Sequence, residues 1–304
     1  MTAAKIPLLF DTDIGTDIDD AVCLAYLLRQ PRCELLGVTT VSGEPQTRAA
    51  LADAVCQAAG RRDIPIHAGN DQGINRGIVQ PQCPQDAILP RFPHREPDAF
   101  APYTAVPFLR EQIHARPGEL TLLTVGPLTN IGLLFTLDPE IPKKLKSLVM
   151  MGGMFGFGVP GCPREWNILC DPIAASIVFK APVPELVAIG LDVTTQCRMP
   201  AVDCIGRFNQ IGGPLAVVAA ATEVWARHAD QITFHDPLAG AVAFEPNLCR
   251  YADGRVEVEL KSDRLAGATL FDRGSPEKPH RIAHAVDAPA FFEEYFAVTS
   301  GKIT

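Results

Sequence analysis

The sequence predicts an α/β fold, an open and mostly parallel (mixed) sheet with helices on both faces. Short apolar runs alternate with amphipathic stretches along most of the 304 residues, as strands and helices do in such folds. The composition is 47% hydrophobic, which is enough for one large core. We find neither an internal repeat nor a clean linker, and we therefore expect a single domain over residues 1–304.

The first half of the chain alternates regularly between predicted strands and helices. Two aspartates at the start of one helix suit the helix dipole, Gly60 ends another, and Pro127 stands in the first turn of a third. The predicted strands are 7–10, 35–41, 64–69 and 120–126, and the predicted helices are 19–29, 47–60, 105–116 and 127–137. Residues 70–102 are rich in Pro, Gly, Gln and Asn, and we expect a long loop there, of the kind that often has a function.

The second half continues the alternation and adds a hairpin. The segments 255–261 and 268–273 alternate polar and apolar residues with period two, which predicts a pair of strands. The other predicted strands are 146–153, 185–194 and 281–287, and the predicted helices are 171–181, 212–229, 236–244 and 289–298. A glycine-rich loop is expected at 152–163, directly after one of these strands.

Charge and cysteine content exclude several classes of partner. The formal net charge is −8 and no Lys/Arg cluster stands out, so we expect neither nucleic acid nor an anionic membrane as a partner. The first ten residues have too short an apolar run for a signal peptide, and no run approaches the ~20 residues that span a bilayer. Nine cysteines without CxxC pairs indicate free thiols and a cytoplasmic location.

The most informative segment follows the first predicted strand. Five aspartates lie within ten residues, namely Asp11, Asp13, Asp17, Asp19 and Asp20. So many like charges raise the free energy of the folded state unless a cation lies among them. Oxygen ligands suit Ca²⁺ or Mg²⁺, so the segment predicts a divalent metal site.

Two known patterns resemble this segment superficially. An EF-hand fails because Gly15 is at the wrong position and Val22 stands where the bidentate glutamate belongs. A haloacid-dehalogenase-type phosphatase also begins with a strand and D-x-D, which would make Asp11 the nucleophile. That pattern has no use for Asp19 and Asp20, and its later lysine cannot be placed, but it stays an alternative.

The parallel sheet predicts which other segments lie near the aspartates. Ligands bind beyond the carboxyl ends of parallel strands, where the turns collect on one rim. We expect four turns to meet there: 11–20, 124–130, the segment from 150 to 167, and the turn containing HDPL at 235–238. The carboxylates would then face Glu165, Asn167, His235 and Asp236.

The segment DTDIGTDIDDA resembles the D-x-D-x-G-x-D-D-A signature of the inosine–uridine-preferring nucleoside hydrolases, with two extra residues after Gly15. Four further motifs follow in the family's order: TVGPLTN at 124–130, MMGG at 150–153, EWN with CDP at 165–172, and HDPLA at 235–239. The resemblance implies the Rossmann-like nucleoside hydrolase fold. It also implies Ca²⁺-dependent hydrolysis of ribonucleosides to ribose and free base, and a homodimer or homotetramer.

The resemblance also implies a role for each matching residue. The Ca²⁺ ligands would be Asp13, Asp20, the backbone carbonyl of Val125, and Asp236. Asp13 would also act as the general base, and His235 would protonate the leaving base. The expected ribose contacts are Asp19, Glu165 and Asn167, with Trp166 lining the pocket and Asp11 supporting the metal shell.

The chain departs from the family at positions that concern substrate contacts. Glu44 stands where family members carry Asn, the 154–163 loop lacks another Asn, and the middle loop lacks a His-Gly segment. These departures leave the nucleoside open and motivate a second alternative, a non-catalytic ribose- or nucleoside-binding protein. We assign no role to Asp17 or His94.

Overall fold

The computed structural model describes residues 5–157 and 164–302. Most strands join one nine-stranded sheet in the order β10-β9-β11-β6-β5-β4-β1-β2-β3, and β7 and β8 form a separate pair. The strands are Ile6–Thr12 (β1), Cys33–Thr40 (β2), Ile66–Ala68 (β3), Thr121–Thr124 (β4), Ser147–Met151 (β5), Leu186–Ile189 (β6), Arg198–Pro200 (β7), Gln231–Thr233 (β8), Cys249–Val258 (β9), Thr269–Asp272 (β10) and His280–Val286 (β11).

Helices follow most of these strands, as the alternating pattern predicts. They are Asp19–Arg29 (α1), Pro45–Ala58 (α2), Ala105–Ala115 (α3), Thr129–Leu137 (α4), Ile141–Lys144 (α5), Trp166–Cys170 (α6), Pro172–Lys180 (α7), Leu191–Thr194 (α8), Ala201–Ile211 (α9), Pro214–Trp225 (α10), His235–Val242 (α11) and Ala288–Thr299 (α12). Short 3₁₀ segments lie at Pro84–Arg91, Pro97–Ala99 and Pro246–Leu248. No helix in the described part of the chain is long and apolar enough to cross a membrane.

The sheet is parallel through its centre and mixed at one edge. β1 pairs in parallel with β2 and β4, and β4, β5, β6 and β11 continue the parallel order. β9 runs antiparallel to β11 and β10, and its pairing with β10 confirms the predicted hairpin. Asp11 pairs with Thr39 on one side and Thr124 on the other, so the carboxyl ends of β1, β2 and β4 lie level.

Helices cover both faces of the sheet, which confirms the predicted fold class. Side chains of a strand alternate between faces, so Leu8 and Phe10 belong to one core while Leu9 belongs to the other. The first core packs against α1, α2, α10, α11 and α12. The second packs against α3, α4 and α7.

The structure differs from the predicted elements at several places. The apolar segment 185–194 is extended only over Leu186–Ile189, because the chain turns at Gly190, whose carbonyl accepts from Thr194 N–H at 3.2 Å. The HDPL turn follows β8 of the small sheet rather than a strand of the main sheet. Neither α9 nor the β7–β8 pair was predicted, and part of the predicted 152–163 loop lies outside the described residues.

Candidate active site

A cleft of about 400 Å³ opens beyond the carboxyl ends of β1, β4 and β5. The first turns of α1, α6 and α11 complete its walls. Nine of the residues assigned a role from the sequence line it: Asp13, Asp19, Asp20, Val125, Glu165, Trp166, Asn167, His235 and Asp236. The predicted rim therefore exists, and segments more than a hundred residues apart in the chain meet on it.

Three carboxylates form a compact group inside the cleft. Asp19 and Asp20 begin α1, Asp236 lies in the first turn of α11, and one oxygen from each lies within 4.8 Å of the others. Asp236 N–H donates to Asp19 Oδ2 at 3.1 Å, and the Thr12 hydroxyl donates to Asp20 Oδ1. All three side chains are buried. Buried carboxylate oxygens at this spacing are suitable ligands for a hard divalent cation.

Burial and mutual repulsion strongly disfavour negative charge in this group. Loss of water raises the pKa of Asp19, of Asp20 and of Asp236 well above the usual carboxyl range. Neighbouring aspartates raise each of these pKa values further. A bound cation would remove this penalty, since it supplies the positive charge that the carboxylates lack.

Asp13 lies beside the group and is held through different contacts. Its Oδ2 accepts from Gln80 Nε2 at 3.0 Å, and burial raises its pKa while nearby Arg48 lowers it. Gly126 packs so closely that a Cβ there would come within 2.9 Å of Asp13 Oδ1. The base predicted from the sequence thus points into a tightly defined space on the rim.

Asp11 lies beneath the cleft and does not line it. The Thr39 hydroxyl donates to its Oδ2 at 2.5 Å and Asn130 Nδ2 donates to the same oxygen at 2.8 Å. Burial raises the pKa of Asp11 to about 7, and its Oδ1 has no hydrogen-bond partner among the described residues. A phosphatase nucleophile must face its substrate, so this placement argues against the phosphatase alternative.

Glu165 and Asn167 organise the turn after β5. The Glu165 carboxylate accepts N–H bonds from Gly153 at 3.1 Å, Asn167 at 2.8 Å and Ile168 at 3.1 Å, and it caps α6. Burial nevertheless raises the pKa of Glu165 to about 7. Asn167 Nδ2 donates to the Val125 carbonyl at 2.6 Å, which leaves that oxygen a second lone pair for another partner.

His235 and Trp166 also line the cleft. His235 Nδ1 is 2.7 Å from the Thr194 hydroxyl, and burial together with the positive charge of Arg198 lowers the imidazole pKa to about 4. The imidazole of the free site is therefore neutral at pH 7. Trp166 is 47% exposed, and its indole N–H donates to Gln80 Oε1 at 2.7 Å.

The structure also shows functional positions that sequence reasoning missed. Gln80, Leu191 and Trp225 line the cleft from outside the motifs that we identified, and Met151 lines it from the MMGG motif, where it was assigned no role. Arg48 is fully buried behind it, and a charged residue on the apolar face of α2 was the signal that could have found it.

Three unassigned residues can now be placed. Asp17 lines the cleft and its Oδ1 accepts the Ile18 N–H at 2.6 Å. Glu44 does not line the cleft, because its carboxylate accepts from Cys83 N–H at 2.8 Å. His94 bonds the Phe92 carbonyl at 2.8 Å and lies outside the lining of the cleft.

Comparison with known sequences gives one consistent family. A sequence model of inosine-uridine preferring nucleoside hydrolases matches residues 8–293. The chain is 30% identical over 285 residues to uridine nucleosidase 1 of Arabidopsis thaliana, covering 88% of this chain and 82% of that relative. It is also 30% identical over 279 residues to the pyrimidine-specific ribonucleoside hydrolase RihA of Citrobacter koseri, covering 88% of each.

Solved structures show the same fold over nearly the whole chain. A plant nucleoside hydrolase superposes with a TM-score of 0.84 at 27% identity, covering 97% of this chain and 99% of that one. A purine-preferring ribonucleoside hydrolase from Gardnerella vaginalis gives a TM-score of 0.82 at 27% identity, covering 97% and 98%. These matches agree with the resemblance carried by the sequence motifs.

Proposed function

The chain belongs to the inosine-uridine preferring nucleoside hydrolase family and hydrolyses the N-glycosidic bond of ribonucleosides; we propose that it does so with Ca²⁺ held in the acidic cleft. The observation that carries the proposal is the buried group of Asp19, Asp20 and Asp236, whose oxygens lie within 4.8 Å of one another. We propose that residues 1–304 form one functional domain, since the family match covers residues 8–293 and one sheet joins strands from both halves of the chain.

The residues proposed to hold Ca²⁺ each provide an oxygen ligand from this rim. They are Asp13, Asp20, Asp236 and the carbonyl of Val125. When bound, the ion supplies a positive charge that offsets the carboxylates and polarises the oxygen atoms it contacts. Asp19 is proposed to accept from a ribose hydroxyl at the edge of the ion site, and its close approach to Asp20 and Asp236 supports this proposal.

The reaction replaces the bond between the nucleobase nitrogen and ribose with a bond from water to the same carbon. Positive charge develops on the sugar ring as the old bond breaks, and the surrounding carboxylates stabilise that charge. We propose that Asp13 removes the proton from the attacking water, as a general base. Glu165 and Asn167 are proposed to bind the ribose, and Trp166 to line the pocket.

His235 is proposed to protonate the leaving nucleobase, which departs with the electron pair of the broken bond. The neutral imidazole of the free site must first take up a proton in the complex before it can donate one. The Thr194 hydroxyl bonds its Nδ1, so Nε2 is the ring atom left to face the base.

The nucleobase preference is best tested with a panel of nucleosides, because the relatives are named for uridine, pyrimidine nucleosides and purine nucleosides. Ribose and free base should appear together from at least one nucleoside, and a chelator should stop their release. Release of neither product by metal-loaded protein would refute the hydrolase assignment. Thermal stabilisation by a nucleoside without turnover would favour the non-catalytic binding protein instead.

We further propose a cytoplasmic homodimer or homotetramer. All eight described cysteines are free and buried, which supports a reducing compartment. Light scattering of the purified chain would give the oligomeric state directly, and a monomeric mass would contradict the proposal.

A further inference from the structure

One side chain of the long loop joins the proposed base to the aromatic wall of the cleft. Gln80 Nε2 donates to Asp13 Oδ2 at 3.0 Å, and Gln80 Oε1 accepts from Trp166 Nε1 at 2.7 Å. Gln80 is only 8% exposed, although it lies in the loop between β3 and α3. A single carboxamide therefore contacts two functional residues from different segments.

The backbone that carries Gln80 is fixed against the acidic loop. The Gln82 carbonyl accepts from Arg48 Nη2 and from the Thr16 hydroxyl, both at 3.0 Å. Gln85 Nε2 donates to the carbonyls of Thr16 at 3.1 Å and Asp17 at 2.9 Å. These hydrogen bonds fix this part of the loop as one wall of the cleft. The position of Gln80 in that wall can therefore determine the position of the Asp13 carboxylate.

The Gln80 carboxamide satisfies both of these partners at once, because it carries a donor and an acceptor on one group. The indole N–H is a donor without acceptor capacity, so the amide oxygen must face Trp166 and the NH₂ group must face Asp13. An ionised Asp13 accepts that hydrogen bond, which is strengthened by its charge. Glutamate in place of Gln80 would keep the bond to Trp166 but would repel Asp13, and methionine would lose both bonds.

We infer that Gln80 is a positioning residue of the hydrolase, whose carboxamide sets the orientation of the Asp13 carboxylate relative to Trp166. The inference rests on the proposed role of Asp13 as general base. With Oδ2 held by Gln80, the Asp13 carboxylate cannot rotate freely, and its orientation toward the attacking water is fixed. A misplacement of about 1 Å at such a base can cost about 100-fold in rate.

The test compares Gln80→Glu and Gln80→Met with Gln82→Glu, an identical chemical change on an exposed side chain of the same loop. We expect kcat to fall about 10–100-fold in both Gln80 variants at saturating Ca²⁺, with KM changed by less than about threefold. Gln82→Glu should keep the wild-type constants. An unchanged kcat in both Gln80 variants, or a rise in KM alone, would overturn the inference. If Gln80→Met does not fold, the nearly isosteric Gln80→Glu carries the test.

The Trp166 contact has its own readout, because the chain contains two tryptophans. In a Trp225→Phe background the fluorescence comes from Trp166 alone. Gln80→Met should shift its emission, since the indole N–H loses its partner, whereas Gln80→Glu should leave the emission near that of the parent. Identical emission in all three proteins would overturn the claimed link to Trp166.

Asp13→Asn separates failure of this inference from failure of the proposed mechanism. Full activity of Asp13→Asn would show that Asp13 is not the general base. The positioning role inferred for Gln80 would then have no basis. An inactive Asp13→Asn together with fully active Gln80 variants would overturn the role of Gln80 alone.

Discussion

Arg48 holds Asp13 through the main chain and not through the carboxylate. The guanidinium donates to the backbone carbonyl of Asp13, and it donates also to the carbonyls of Ile14 at 3.1 Å and Gly43 at 2.7 Å. Arg48 is fully buried. It thereby fixes the path of the acidic loop and leaves the Asp13 side chain to the cleft, while its charge opposes the burial that raises the pKa of Asp13 and of Asp20.

Replacing Arg48 with methionine should lower the free energy of unfolding by about 3 kcal/mol, because several buried carbonyls lose their donor. Urea unfolding measures this change. Arg62→Met, a change of an exposed arginine, should stay within about 0.5 kcal/mol of the wild type. Equal stability of the two variants would show that Arg48 does not hold the loop.

The effect of Asp236→Asn on stability should change sign when Ca²⁺ is added. In chelator the variant should melt at or above the wild-type temperature, because it carries one fewer negative charge in the buried group. In Ca²⁺ at about 100 times its Kd, the wild type should gain about 2.7 kcal/mol and become the more stable protein. Differential scanning calorimetry in chelator and in Ca²⁺ shows which of the two proteins melts at the higher temperature in each buffer.

The control for that reversal is Asp203→Asn, which removes an exposed carboxylate on α9. Its melting temperature should follow the wild type in both buffers. If Asp236→Asn also follows the wild type in both buffers, Asp236 is not a ligand of the ion.

His235→Ala should affect substrates according to the leaving group. A nucleoside whose base leaves poorly should lose about 10²–10⁴-fold in kcat, as expected for a lost general acid. A p-nitrophenyl riboside, whose leaving group needs no proton, should lose less than about tenfold. Steady-state kinetics on both substrates checks this, and an equal loss on both would indicate an orienting role for His235.

His280 should make stability depend on pH through a site far from the cleft. Its Nδ1 accepts from Val256 N–H at 2.8 Å, and its Nε2 lies 2.7 Å from the Phe179 carbonyl, so the folded protein requires the neutral ring. Burial lowers the His280 pKa below the usual value of 6.5. The unfolded chain therefore binds the proton first as the pH falls.

The stabilisation provided by the neutral His280 ring is complete above the pKa of His280 in the unfolded chain. It is lost as the pH falls toward the pKa of His280 in the folded protein. Between pH 7 and pH 5 the wild type should lose unfolding free energy more steeply than His280→Gln, by up to about 1.4 kcal/mol per pH unit. Urea unfolding at several pH values measures both slopes. Parallel slopes would show that His280 stays unprotonated in both states or titrates equally in both.

The sequence was sufficient to predict the rim of the sheet and the carboxylates on it. Parallel strands place their carboxyl ends together, so Asp13 and Glu165 were expected to meet although the chain separates them widely. Asp236 was also placed correctly, but for an incomplete reason, because the strand before it belongs to the small sheet.

Other features depend on long-range packing that no local pattern encodes. Segment 185–194 is apolar throughout, so periodicity could not distinguish strand β6 from the short helix α8 that follows it. Gln80 lies in a loop without regular spacing, and its place in the cleft depends on the bonds that tie that loop to Arg48 and Thr16. Hydrogen bonds between distant loops leave no signal in the sequence of either loop.

The most direct test of the proposed function is a calcium titration of metal-free protein with ribose release from a cleaved nucleoside as the readout. Ribose release should be absent in chelator and should reach its maximum at one Ca²⁺ per chain. Asp20→Asn should need about 100-fold more Ca²⁺ to reach its own maximum of ribose release, because it lacks one of the proposed ligands. Full ribose release in chelator, or recovery of Asp20→Asn at the wild-type concentration of Ca²⁺, would contradict the account.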